Sequence, residues 1–329
     1  MPTRRRALLI LAALAGTAVL SISLALIVGS MRIPFTEVAA TLLGGGDGVS
    51  TEVVRSLRLP RALTGFACGG LLALAGALLQ ILLRNPLADP YVLGISGGAG
   101  IGALLAIVLG FGVAAVNGLA FAGALAAMLI VFGLAQGNGG WTHSRLLLTG
   151  VIVAAASGAL VTLMLTIAPD DRLRGMLFWL MGDLSQSGDP QIALGLLGAA
   201  LLIALPFARE LNLLARGVDL AQALGVAVNP LRRGVYFVAS LATAAAVTHA
   251  GSIGFVGLVV PHLVRLAAGN DQRLLLPACV LAGGSLLVIA DTLARTLLAP
   301  QQLPVGVLTA LIGAPVFLFL LARAAPRGD

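Results

Sequence analysis

Apolar residues run along this chain in long blocks, and charge is confined largely to the intervals between them. A helix needs about 20 consecutive apolar residues to cross the hydrocarbon of a bilayer. By that measure ten stretches are candidate spans: 7–29, 61–83, 92–109, 113–135, 143–167, 190–208, 234–250, 253–268, 274–294 and 305–323. Stretch 253–268 is the weakest. It covers only about 24 Å as a helix, and Pro261 interrupts it, which predicts a tilted, broken or partly re-entrant element. Arg4, Arg5 and Arg6 precede the first block. They resemble the n-region of a signal peptide, but the apolar run is too long for an h-region and no A-x-A-like site follows closely. The first helix is therefore expected to stay uncleaved.

Composition turns these blocks into a class. The chain has 329 residues, 59% hydrophobic and 10% charged, with mean hydropathy +1.05. Ordinary soluble domains carry about 25% charge, and a chain of this length has too little core to hide so much apolar surface. The expectation is an all-α polytopic membrane protein of about ten transmembrane helices, forming a single transmembrane domain over 1–329. Placing the N-terminus in the cytoplasm puts 13 arginines on the cytoplasmic side and 7 on the far side. That follows the positive-inside rule and puts the C-terminus in the cytoplasm as well.

All 20 basic residues are Arg. Without Lys there is no Walker A loop and no Schiff-base chemistry, so the chain is not expected to hydrolyse nucleotide itself. Cys68 and Cys279 lie inside apolar runs and read as small packing residues. The net charge of +7 reflects membrane orientation rather than nucleic-acid binding. His143, His249 and His262 lack metal-ligand spacing, and no nucleophile–base cluster stands out. Neither a metal site nor a catalytic site is expected. His249 and His262 read as polar helix-packing residues. Gly98 to Ala103 fits G-x-G-x-x-[GA] by letter, but no strand precedes it. The recurrence of Gly94, Gly98 and Gly102 predicts close helix packing instead.

Several polar residues depart from the background. Arg55, Arg58 and Arg61 recur every three residues at the start of the second span, which predicts a shared face. An acidic docking partner or snorkelling to headgroups would account for them. Asp291, four residues before Arg295, is either a functional intramembrane carboxylate or one half of a helical ion pair, and the pair is the simpler reading. Segment 168–190 carries Asp170, Asp171, Arg172 and Arg174 ahead of an apolar stretch with Trp179. It predicts a short interfacial helix or the mouth of a path, with Arg174 meeting an anionic substrate or pairing locally. Segment 209–233 contains a helix-compatible centre from Asp219 to Val228, with Leu220, Ala223 and Leu224 on one face. It suits a peripheral cytoplasmic partner or a helix lying on the membrane surface.

RLPRALTGFACGGLLALAGALLQILLRNPLADPYVLGISGGAG (58–100), GSIGFVGLVVPHLVRLAAGNDQRLLLP (251–277), ADTLAR (290–295) and LPVGVLTALIGAPVFLFLL (303–321) resemble the FecCD family. These are the permease subunits of type II ABC importers for iron chelates, haem and vitamin B12. The resemblance covers nearly the whole chain. It implies a vitamin B12 permease-like fold of ten helices, a homodimer, two cytoplasmic ATPase subunits that carry ATP and Mg, and a periplasmic substrate-binding protein. No cofactor is implied for this chain. By the same resemblance Arg58, Arg61 and Arg295 dock the binding protein, and Arg55 stands outside the motif. Asn85, Leu87, Thr142, His143 and Ser144 match cytoplasmic gates, with His143 departing from the small hydroxyl residues expected there. Asp219, Ala221, Leu224 and Gly225 match the ATPase-coupling segment.

The function expected is inward movement of an iron chelate, haem or ferric siderophore, across a bacterial inner membrane by alternating access. Vitamin B12 is the alternative substrate. An ion-coupled secondary transporter is the competing class, but it would need titratable groups near the midplane, and the span interiors lack acidic residues apart from Asp291.

Overall fold

The computed structural model describes residues 4–29, 31–46, 48–136, 142–185 and 189–324, with side chains described as far as Phe319. Arg327, one of the arginines counted on the cytoplasmic side, lies outside these residues. The described residues are predominantly helical, with fifteen α-helices in order. Helix α1 (Arg4–Ile27) leads into two short helices, α2 (Phe35–Leu42) and α3 (Val49–Glu52). A π-turn (Val53–Arg58) then feeds the central helix α4 (Leu59–Leu82). After a 3₁₀ turn (Pro90–Leu93) come α5 (Ile95–Val108), α6 (Val113–Ala135), α7 (His143–Ile167), α8 (Asp170–Met181) and α9 (Pro190–Ala204). A second 3₁₀ turn (Leu205–Phe207) joins α9 to α10 (Ala208–Arg216). The remainder is α11 (Val218–Ala223), α12 (Val228–Ala250), α13 (Val256–Ala268), α14 (Gln272–Thr296) and α15 (Val305–Ala324).

Helices α1, α4, α5, α6, α7, α9, α12, α13, α14 and α15 match the ten expected spans. Six helical stretches are individually long and apolar enough to cross a bilayer: Arg4–Ile27, Val49–Leu82, Val113–Ala135, His143–Ile167, Pro190–Arg216 and Gln272–Thr296. Helix α4 is the axis of the bundle. It is buried along almost its whole length and packs against α1, α9, α12, α13 and α14. Lipid supplies no hydrophobic drive between helices, so close approach depends on small side chains. Gly76 of α4 lies against the backbone of Gly257 in α13, and Gly98 of α5 against that of Gly123 in α6. A Cβ at any of these would collide with main chain, which bears out the packing reading of Gly98.

Helices α5 and α13 are too short to span alone, at about 21 and 20 Å. The residues before each are irregular. The 3₁₀ turn Pro90–Leu93 ends at Gly94 in the left-handed region, and 251–254 form no regular element ahead of Phe255, also left-handed at φ 69°. Non-helical backbone at membrane depth is tolerated only where protein covers it. Here the two breaks cover each other. The Tyr91 hydroxyl donates to the Ile253 carbonyl and accepts from the Ile253 N–H, both at 2.9 Å. The Ser96 and Ser252 hydroxyls are 2.7 Å apart. Gln80 Nε2 reaches the carbonyls of Ala88, Gly257 and Leu258 at 3.3–3.4 Å. The weak span is thus a half-length helix whose missing turns are replaced by these contacts.

Three local expectations change. Helices α2 and α3 and the π-turn fill a segment for which no element is expected. The interfacial helix starts at Asp170, well before its apolar stretch, because Asp170 and Asp171 favour a helix N-terminus. The coupling segment is not one helix from 219 to 228. Helix α11 ends at Ala223, and Gly225 turns the chain with φ +80°.

Candidate functional site

Three regions collect the polar residues singled out above. The first lies where α4 and α14 meet, at the end of the bundle that the arginine count makes the outer one. Asp291 of α14 is buried, and Arg61 of α4 donates to both its oxygens at 2.8–3.1 Å. Arg61 Nη1 also donates to Gln302 Oε1 at 3.0 Å. Arg295 sits one turn along from Asp291, with Nε 3.2 Å from Oδ2. The expected i,i+4 pair is therefore present, but Arg61 is the better-aligned partner. Side-chain exposure is 12% for Arg61 and 10% for Arg295.

Arg58 does not share their arrangement. Its guanidinium caps the end of α1, donating to the carbonyls of Leu26 at 2.6 Å, Ile27 at 3.0 Å and Met31, with Gly29 packed against it. Only 5% of Arg58 is exposed, whereas Arg55 faces out. The expected common face is lost for a local reason. The π-turn closes i→i+5 bonds and takes an extra residue into the turn, so a spacing of three no longer keeps Arg55 and Arg58 in register.

The second region is the inner end. Asn85 Oδ1 accepts from the Leu87 N–H at 2.9 Å, and Leu87 is exposed. Thr142 N-caps α7, accepting from the Arg145 N–H at 3.3 Å, while Ser144 is exposed. His143 lies beside the backbone of Leu82, near Arg84 and Arg232. The structure thus brings the start of α7 against the end of α4, next to the turn that carries Asn85. Asn85 also lines a cavity of about 930 Å³ with Arg6, Arg84, Arg216 and Arg265. Further along this loop Asp89 caps the 3₁₀ turn, accepting from the Tyr91 N–H at 2.8 Å. Dry surroundings push its carboxyl up to about 6, and the Tyr91 N–H opposes that rise.

Also at this end, α10 and α11 form an elbow beside α12. Ala221 is fully buried and anchors α11, while Asp219, Leu220, Leu224 and Gly225 are exposed. Two leucines held open to solvent beside an acid make a surface suited to another protein.

The third region is an outer cavity of about 650 Å³ between α5, α6, α8 and α12. Arg174 and Trp179 both line it, together with His249, and the Arg174 guanidinium lies 5.6 Å from the centre of the Phe178 ring. Arg172 donates to the carbonyls of Ile107 and Val108 at the end of α5. Among the described residues, no group of His, Cys, Asp and Glu could hold a metal ion.

Two participants had no sequence signal. Gln302 meets Arg61 only because the turn after α14 folds back, and Tyr91 reaches Ile253 across 162 positions.

The chain is similar along most of its length to known proteins. The model of the FecCD transport family matches residues 5–323. A cobalamin import system permease protein of Halobacterium salinarum is 44% identical over 286 residues, 86% of this chain and 77% of that protein. The hemin transport system permease protein HmuU of Yersinia pestis is 43% identical over 275 residues, 82% of each chain. A solved structure, described as an inward-facing conformation of a metal-chelate type ABC transporter, superposes with TM-score 0.83 at 31% identity. It covers 96% of this chain and 99% of its own. The half-length helices joined by Tyr91, the glycine-packed central helix and this full-length likeness converge: the chain belongs to the FecCD transport family, as a membrane-spanning permease subunit of a type II ABC importer.

Proposed function

We propose that this subunit forms, with a second copy of itself, the passage by which a bulky metal chelate enters the cytoplasm through the cytoplasmic membrane. Both of its termini lie on the cytoplasmic side. ATP is hydrolysed on two partner subunits, and cargo is delivered by an extracytoplasmic binding protein. The observation that carries the reading is the near full-length likeness to a metal-chelate type ABC transporter and to permeases named for cobalamin and hemin.

Helix α7 supports the second copy. It is among the least buried of the long helices, yet carries Ala154-Ala155-Ala156-Ser157-Gly158-Ala159 in mid-span. Small residues on an open helix suit close approach by another helix. The binding protein meets Arg61 and Arg295, whose small accessible edges, 12% and 10% of each side chain, donate to its carboxylates, while Arg58 stands behind them and fixes α1. The exposed face of Asp219, Leu224 and Gly225, with Ala221 as its anchor, seats the ATPase subunit. Movement there reaches Asn85, Leu87, Thr142, His143 and Ser144, which close or open the inner end. Partners shift this equilibrium only through different affinities for its two states. The outer cavity with Arg174 and Trp179 stands on the cargo's side.

Two cargo classes stand level. Hemin and cobalamin are each named for a relative of similar identity, and both are large metal-bearing tetrapyrroles. A ferric siderophore shares the bulk and the metal. Uptake into vesicles holding the complete transporter, offered haem, cobalamin or a ferric siderophore, tests the reading. ATP-dependent uptake of one of them supports it. Uptake driven by a proton gradient without the ATPase subunits would overturn it.

A further inference from the structure

A groove of about 720 Å³ runs up the inner end of the bundle between α9, α10 and α12. Its floor is the buried Leu78 of α4, and its walls include Ile203, Phe207, Leu231, Val235 and Val238. Two charged residues, Arg209 and Glu210, stand in the same lining. We infer that this groove seats one zwitterionic phospholipid of the bilayer, its acyl chain along the apolar walls, its phosphate on Arg209 and its ammonium on Glu210.

Three observations carry this. First, the groove spans a change of polarity along the chain. The run Leu201-Leu202-Ile203-Ala204 gives way to Ala208-Arg209-Glu210, and Ile203 and Phe207 are exposed at that height. Apolar walls below and charge above match the polarity profile of a lipid. Second, Glu210 Oε2 is buried without a hydrogen-bond partner among the described residues, and neither Arg209 nor Glu210 forms an ion pair there. An unpaired carboxylate in a groove lining favours a cation beside it, and an ammonium headgroup supplies one at the face of Glu210 that the groove reaches. Third, the site holds one charge of each sign. A purely anionic headgroup satisfies Arg209 but is repelled by Glu210, and a headgroup with both charges satisfies the two. Gly234 of α12 keeps the groove open, since a Cβ there would meet nothing within 4 Å. Leu224 and Gly225 form one side, so the bound headgroup abuts the turn proposed to seat the ATPase.

The test is lipid retention in native mass spectrometry, with the purified permease taken from nanodiscs of equal phosphatidylethanolamine and phosphatidylglycerol. The wild type is expected to retain phosphatidylethanolamine about tenfold over phosphatidylglycerol, the scale of one charge-assisted contact. Glu210→Gln should erase that preference. Gly234→Leu, whose Cβ enters open space and whose side chain adds bulk to the groove, should lose both lipids. No preference in the wild type, or an unchanged preference in Glu210→Gln, overturns the assignment. Glu210→Gln is nearly isosteric, so the test stands even if Gly234→Leu fails to fold. If Gly234→Leu keeps its lipid but no longer assembles with the ATPase subunits, the groove is a protein seat and the lipid site falls.

Discussion

Arg61 donates to both carboxylate oxygens of Asp291, from Nε at 3.1 and 3.0 Å and from Nη2 at 2.8 Å, joining α4 to α14 across 230 positions of sequence. Arg295 adds a second cation 3.2 Å from the same carboxylate, though its Nε lacks hydrogen-bond alignment. One buried acid thus organises two arginines, and the outer cluster carries an excess of positive charge.

Removing one partner of a buried ion pair costs about 3–5 kcal/mol, because the other charge stays buried. Asp291→Asn should therefore lower the thermal unfolding midpoint in detergent. In combination with Arg61→Gln the loss should be smaller than the sum of the single losses. Additive losses would show that the two side chains do not act as a pair.

Charge reversal tests docking, read on permease that stays folded in detergent, because Arg61→Glu also breaks the buried pair with Asp291. Arg61→Glu with Arg295→Glu should weaken binding of the partner binding protein, most strongly at low salt, where exposed charges act furthest. Arg58→Gln should act on stability instead. It leaves the carbonyls of Leu26, Ile27 and Met31 without their charged donor, at about 1.5–3 kcal/mol for each such bond. Docking unchanged by the double reversal, measured by surface plasmon resonance at two salt concentrations, would remove the docking role.

Gly225 turns the chain with φ +80° and its Cβ position is open. Gly225→Val should thus be opposed by backbone conformation rather than by collision, at about 1–2 kcal/mol. The expected result is ATP hydrolysis that no longer drives uptake, with assembly of the four-subunit core retained. Normal uptake per ATP in proteoliposomes would release Gly225 from coupling.

Tyr91→Phe removes both bonds to Ile253 and leaves a buried N–H and C=O unpaired, a loss of about 1–3 kcal/mol for each unsatisfied group. Hydrogen exchange should rise at residues 251–257 and stay unchanged in α6. Equal protection in the two proteins would show that this contact does not hold the break.

Asp89 links stability to pH. Its folded-state value, about 6, lies above its ordinary value of 3.8. The folded chain therefore keeps a proton that the unfolded chain releases. Its favourable contribution is complete below about 4 and is lost as the pH rises through about 6. Asp89→Asn keeps an oxygen for the Tyr91 N–H and removes the titration. Its unfolding midpoint should gain on the wild type as the pH rises through that window, and a constant difference would contradict the assignment.

Much of this molecule was readable before any coordinates. The ten spans follow from apolar run length, since backbone in lipid must satisfy its own hydrogen bonds within the helix. The glycine spacing of α5 foretold close helix packing, because only small residues allow that approach, and the structure supplied α6 as the partner. The motif around Arg61, Asn85 and Asp291 pointed to the family. The three-residue spacing of Arg55, Arg58 and Arg61 misled, because spacing predicts a face only when the helix type is known, and a single π-turn changes it.

Before any contact was known, the residues alone gave a helical chain that lives in lipid and the family to which it belongs. These properties depend on the length and composition of contiguous segments. It took the packing of the helices to reveal that Arg61 holds Asp291, that Arg58 caps α1, that Tyr91 joins two half-length helices, and that Arg209 and Glu210 border an open groove. Each depends on side chains distant in sequence arriving within hydrogen-bond range, or on a void left between three helices, and neither is encoded in any local pattern.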